Sequence, residues 1–206
     1  MKVDIADLFT RRDGGYVFAR WGRPIVPVVF GVDDASLAVF KGAIEAVVAL
    51  AGHKMAETDF ELGANLMVFF CRDWSELSDV PHLDQLVPDL HPLVDRLTAA
   101  QANQYRIFRF DDQGGIRAAF VFLRLDSHLA EVAVDTLALS QAVQTILLWS
   151  DRAFEDLPPL AMINGHAVLR PEIADVIRAA YDSVMPVAAL DASHALRLAA
   201  RVVPLS

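Results

Sequence analysis

The chain has 206 residues, 54% of them hydrophobic and 22% charged, a balance that supports one sizeable buried core and excludes a disordered chain. Its 18 Lys and Arg stand against 27 Asp and Glu, and the resulting formal charge of -9 repels phosphate backbones and anionic lipid headgroups. A lone cysteine, Cys71, excludes an intrachain disulfide framework.

The basic residues near the start, Lys2, Arg11, Arg12, Arg20 and Arg23, are diluted by Asp4, Asp7 and Asp13, so no dense basic patch for nucleic acid forms. The same stretch lacks the continuous apolar run of a signal peptide, and no apolar run is long enough to span a bilayer. A cytoplasmic protein without membrane insertion is expected.

In chain order, residues 16–20 and 25–31 are β-rich runs separated by Trp21-Gly22-Arg23-Pro24, and Pro27 restricts the second to an edge strand or a bulge. Asp33 and Asp34 offer N-caps for a helix in which Leu37, Phe40, Ile44, Val47, Val48 and Ala51 recur at helical spacing, and Gly52 supplies its stop. Residues 65–71 form a nearly continuous apolar run, as in a strand covered on both faces, with Cys71 as a packed thiol at its end. Pro81, Pro88 and Pro92 break the next stretch into a short turn and a helix beginning near Pro92.

Residues 105–110 and 116–125 flank Asp111-Asp112-Gln113-Gly114-Gly115 and read as an antiparallel hairpin, with Asp111 and Asp112 as turn formers rather than an acid/base pair. Three helices follow, over about 135–149, about 171–183 and from a cap near Asp191 to about Arg201, the last docking Leu196 and Ala199 on the core. The reading is a single α+β domain, sheet-rich over about 16–125 and helical over about 129–203. In it the hairpin and the strands at Ile25 and Asn65 share one mixed sheet under the Asp34 and Asp135 helices.

Several short motifs occur in a suggestive order: Arg20-Trp21 and Ala64-Asn65-Leu66, then Gln141-x-x-Gln144, Ser150-Asp151, Met162-Ile163-Asn164-Gly165 and Ala180-Tyr181-Asp182. In this order the chain resembles an uncharacterised bacterial family of zincin-like proteins, whose fold is that of metallopeptidases. The resemblance implies a zincin-like fold with a degenerate active-site helix, on which Ser140, Gln141 and Gln144 take the positions of the His, Glu and His of a His-Glu-x-x-His motif. Members of that family are usually exported, a location at odds with the N-terminal stretch of this chain.

Zinc prefers imidazole, thiolate or carboxylate, so the hydroxyl and amides of Ser140, Gln141 and Gln144 imply neither a metal site nor zinc peptidase activity, and no cofactor is expected. These three, with Asp151, are the candidate ligand-binding residues of a non-catalytic protein that binds a protein partner or a small polar ligand. The alternative is a hydrolase assembled from His128, Glu131 and Asp151, which requires those three within hydrogen-bond reach of one another. Among the other His, His53 stands beside a helix stop, where it complements the helix dipole, and His194 lies one turn after Asp191. His82 and His91 sit in the proline-broken segment, where irregular backbone leaves their spacing without geometric meaning, and His166 follows Asn164-Gly165 in a turn.

Overall fold

A computed structural model describes residues 4–202. At its centre is a four-stranded mixed sheet built from β2 (Pro27–Phe30), β3 (Leu66–Cys71), β4 (Gln104–Phe110) and β5 (Ile116–Arg124), in the spatial order β2-β3-β5-β4. β2, β3 and β5 run parallel, and β4 returns antiparallel against β5 through the Asp111–Gly115 turn. Pro27 lies on an edge strand, where its missing N–H leaves no ladder position empty.

β3 is buried on both faces because its residues alternate between two cores. Leu66 and Val68 face helix α1 (Asp34–Leu50) and helix α4 (Val134–Ile146), whereas Met67, Phe69 and Cys71 face the opposite layer. That layer consists of a 3-10 turn, Trp74–Asp79, and the short helices α2 (Leu83–Leu86) and α3 (Leu90–Ala99). The architecture is α+β, three layers deep. Burial pushes the Cys71 thiol up to about 12, so it stays a protonated packing group.

The Asp33 carboxylate caps α1 by accepting from the Ser36 backbone N–H at 2.7 Å, and Phe40, Ile44, Val47 and Val48 face the sheet. Gly52, at φ +65°, ends the helix in a left-handed turn in which the His53 N–H reaches back to the Val48 carbonyl. His53 serves more than the helix end: its Nε2 lies 2.8 Å from the Arg23 carbonyl and its ring packs on Tyr181.

The region expected to be helical from about 129 to 203 also holds strands, which corrects that expectation. β6 (Leu160–Ile163) and β7 (His166–Leu169) form a hairpin around Asn164 and Gly165, both at positive φ as a two-residue turn of this hand requires. α5 (Pro171–Ala180) follows, then β8 (Ala188–Ala189), which pairs with β1 (Phe18–Ala19) near the N-terminus. No helix among the described residues is long and apolar enough to cross a membrane.

The final helix, α6 (Ser193–Ala199), docks through a different face from the one expected. His194, Ala195 and Leu198 are buried, while Leu196 is 74% exposed and Ala199 also faces solvent. The helix begins two residues after Asp191, which instead closes a turn onto the Ser193 N–H. His194 Nδ1 lies 2.8 Å from the Tyr16 hydroxyl, its ring packs 4.2 Å from Phe18, and Nε2 has no partner among the described residues.

Burial, assisted by nearby Arg197, holds the His194 pKa down at about 4. As pH falls from 6.5 towards 4 the unfolded chain binds a proton that the folded chain refuses, so stability is complete above about pH 6.5 and declines below it. The expected loss is on the order of 2–3 kcal/mol by pH 4. Urea unfolding at pH 7 and pH 4.5 measures it; a His194→Leu variant should lose this slope, and a variant with the slope intact would contradict the assignment.

Candidate functional site

β4 and α4 meet along one side of the sheet. In β4 the side chains of Gln104, Arg106 and Phe108 share a face by strand alternation, and their cross-strand partners Leu123, Val121 and Ala119 belong to the core beneath α1 and α4. The α4 face opposite them carries Gln141, only 3% exposed.

Three side chains close a small polar ring there. The Gln141 Oε1 accepts from Arg106 Nη2 at 2.6 Å, and the Gln104 Oε1 accepts from Gln141 Nε2 at 2.9 Å and from Arg106 Nη2 at 3.1 Å. One turn along α4, the Gln144 amide donates to the Ser140 hydroxyl at 2.8 Å.

Past Ile146 the helix does not continue to 149 as its apolar spacing suggests. Leu147 turns extended to bridge Arg20, the Leu148 N–H donates to the Ala19 carbonyl, and the Ser150 N–H donates to the Leu8 carbonyl. This lacing to the N-terminal segment overrides local helix propensity. It also fixes Trp149, whose indole N–H donates to the Val143 carbonyl at 2.8 Å and whose ring stacks on Phe9 and packs against Phe154.

The result is a cavity of about 300 Å³ between the edge strand and the end of α4, walled by Phe108, Trp149 and Phe154, with Gln104, Arg106, Gln144 and Ser150 as its polar groups; Tyr105 also borders it, but its ring packs beneath Arg96 on the opposite face of the sheet. Among the described residues its lining holds no carboxylate, imidazole, thiol or amine.

Arg106 dominates the electrostatics. No carboxylate lies within ion-pair distance of it among the described residues, its only acceptors there are the two glutamine amides, and its Nε is enclosed without a partner. Burial alone pushes its pKa down to about 10, still far enough above neutrality to keep the guanidinium charged. Arg20 and Arg117 also have an enclosed, unpartnered Nε. Arg20, however, lies over the Tyr181 ring and donates to the Met185 carbonyl, and Arg117 approaches Glu61. Of the three, Arg106 is the one that lines the cavity.

The residues singled out from sequence divide. Gln141 and Gln144 belong to this site, Gln144 in the wall and Gln141 beneath Arg106, and Ser140 supports Gln144. Asp151 is elsewhere: it is exposed, and its carboxylate accepts from the Arg12 backbone N–H and pairs with the Arg12 side chain, tying down the N-terminal segment. His128 and Glu131 lie in a 3-10 turn before the start of α4 and Asp151 beyond its end, so the 13-residue helix separates them by about 20 Å. The structure does not bring these three together.

His82 contacts Gln85 and His91 contacts Ser78, and no cluster of three or more His, Cys, Asp or Glu suited to a metal occurs among the described residues. The Asp111 carboxylate accepts from the Gln113 and Gly115 backbone N–H groups, as a turn former does. Sequence reasoning missed Gln104, Arg106, Trp149 and Phe154. The available signal was the polar pair Gln104 and Arg106 on one face of a strand otherwise rich in aromatic residues, since a polar strand face calls for a polar partner. No family model, no curated protein and no solved structure matches this chain.

Proposed function

We propose that the chain is a non-catalytic binding protein whose cavity between β4 and α4 takes a carboxylate-bearing ligand. The observation that carries this reading is Arg106: a charged guanidinium, mostly withdrawn from water, held by two neutral amides and facing no acid. Burying a cation without a counter-charge is costly, and a planar carboxylate supplies both the charge and the acceptors that the site lacks. The aromatic walls suit an apolar group beside that carboxylate.

Binding is favoured over catalysis by the lining itself, which offers no group to move a proton near neutral pH. Kinship with zincin-like proteins forms part of the same proposal. Its support is the motif order around α4 and the position of Gln141 and Gln144 one turn apart on a helix packed against a mixed sheet. In this chain Gln141 positions the Arg106 cation instead of ligating a metal, and Gln144 bonds Ser140 in the cavity wall.

The test is a fluorescence titration with phenylacetate, which joins a carboxylate to an aromatic ring. Trp21 and Trp74 are buried away from the cavity, so Trp149 is the reporter. A saturable change in emission is expected, with a Kd on the order of 1 mM for so small a ligand. A flat titration to well beyond that concentration would count against the reading.

A further inference from the structure

The cavity opens beside a strand edge with hydrogen-bonding capacity to spare. Among the described residues β4 pairs only with β5, and no isolated bridge involves it. The Arg124 N–H donates to the Asn103 carbonyl at 2.8 Å, which makes 103 and 124 a hydrogen-bonded pair. By antiparallel alternation, residues 105, 107 and 109 then turn their peptide groups towards β5, while Gln104, Arg106 and Phe108 turn theirs outward. The Ala119 N–H, which donates to the Asn65 carbonyl on the far side of β5, agrees with that alternation.

The outward peptide groups therefore belong to the same three residues whose side chains line the cavity. An exposed edge normally carries a proline, a short strand or covering structure. The opposite edge, β2, is four residues long and contains Pro27, whereas β4 runs seven residues without proline and has its bulge only at Arg109 and Phe110.

Resting on the carboxylate reading of the cavity, we infer that the ligand is an extended segment of another protein that adds to β4 as an antiparallel strand and places an acidic side chain opposite Arg106. In that register the acidic residue exchanges backbone hydrogen bonds with Arg106, and its side chain falls on the same face as the guanidinium, within cross-strand reach. The residues two positions to either side fall beside Gln104 and Phe108, where Trp149 and Phe154 favour apolar groups. Charge selects the occupant: an unpaired cation in the cavity admits an acidic segment and rejects a basic one.

The probe is a seven-residue peptide, acetylated and amidated, with Glu at its centre, Val and Phe two positions to either side, and Thr elsewhere. Titrated against the full chain, it is expected to bind at least tenfold more tightly than phenylacetate. Methylating the Glu amide nitrogen, which faces β4 in this register, should weaken it at least tenfold; methylating a neighbouring Thr amide, which faces away, should leave it unchanged. Gln in place of Glu should weaken it by a similar factor. If phenylacetate binds but the peptide binds no better, or the two methylated peptides behave alike, strand addition is overturned and the small-carboxylate reading survives. If neither probe binds, both readings fall.

Discussion

Replacing Arg106 with Met is expected to weaken phenylacetate binding at least tenfold while leaving the folded protein as stable as before, or more so. A hydrogen bond to a charged group contributes about 1.5–3 kcal/mol, which corresponds to a tenfold to hundredfold change in affinity. The effect on folding has the opposite sign because the charge is withdrawn from water with only the Gln104 and Gln141 amides for company. Removing it relieves a desolvation penalty of several kcal/mol and leaves only the Gln141 Oε1 short of a partner, at about 1–3 kcal/mol, because the Gln104 Oε1 keeps the Gln141 amide. An ordinary structural arginine, paired with acids, gives the reverse pattern. An Arg106→Met variant that melts far below the parent and still binds phenylacetate would show that Arg106 serves the fold and not the site.

Asn65 should carry the largest single polar contribution to stability, with Asn65→Leu costing on the order of 4 kcal/mol. The residue is fully buried at the start of β3. Its Oδ1 accepts from the Val26 N–H at 2.8 Å, and its Nδ2 donates to the Pro24 carbonyl at 2.9 Å and to Asp59 Oδ2 at 3.0 Å. Leucine has similar bulk but strands a backbone donor, a backbone acceptor and part of a buried carboxylate. Burial raises the Asp59 pKa, yet hydrogen bonds from the Leu62 and Glu61 backbone, from Asn65 and from Arg23 outweigh it and hold the carboxyl below its ordinary value. The network therefore needs Asp59 ionised. Urea unfolding at pH 7 measures the cost, and a loss under about 1 kcal/mol would contradict this account of Asn65. Since the Asn65 carbonyl also receives the Ala119 N–H, the same residue fixes the register of β3 on β5, and through β5 that of the strand bearing Arg106.

The central sheet was legible because its strands and α1 carry strong local signals: the uninterrupted apolar run of β3, the Gly-Gly hairpin turn, and the Asp33 cap with apolar spacing closed by Gly52. The Asn164-Gly165 turn was as strong a hairpin signal as any, and the flanking residues pair across it even though Met162 and Ile163 are exposed. On α6 the short helix offered two competing apolar faces, and the contacts of His194 with Tyr16 and Phe18 selected the one bearing Leu198.

The candidate site was half legible. Gln141 and Gln144 stand out as polar residues on the inner side of an apolar helix, yet their meaning depends on which strand the helix covers. Periodicity places Gln104 and Arg106 on a common face without saying that the face lies under α4. Asp151 illustrates the converse: it follows the helix in sequence, but the lacing of residues 147–150 to the N-terminal segment carries it towards Arg12.

The most direct measurement of the central claim is the Arg106 side-chain Nε–H resonance, followed by heteronuclear NMR during a phenylacetate titration and assigned by its loss in Arg106→Met. In the free protein this proton is enclosed and has no partner among the described residues. A carboxylate arriving at the guanidinium is expected to move it downfield along the same saturation curve that Trp149 emission follows. A resonance that stays in place while phenylacetate binds would locate the ligand elsewhere and contradict the assignment of the cavity.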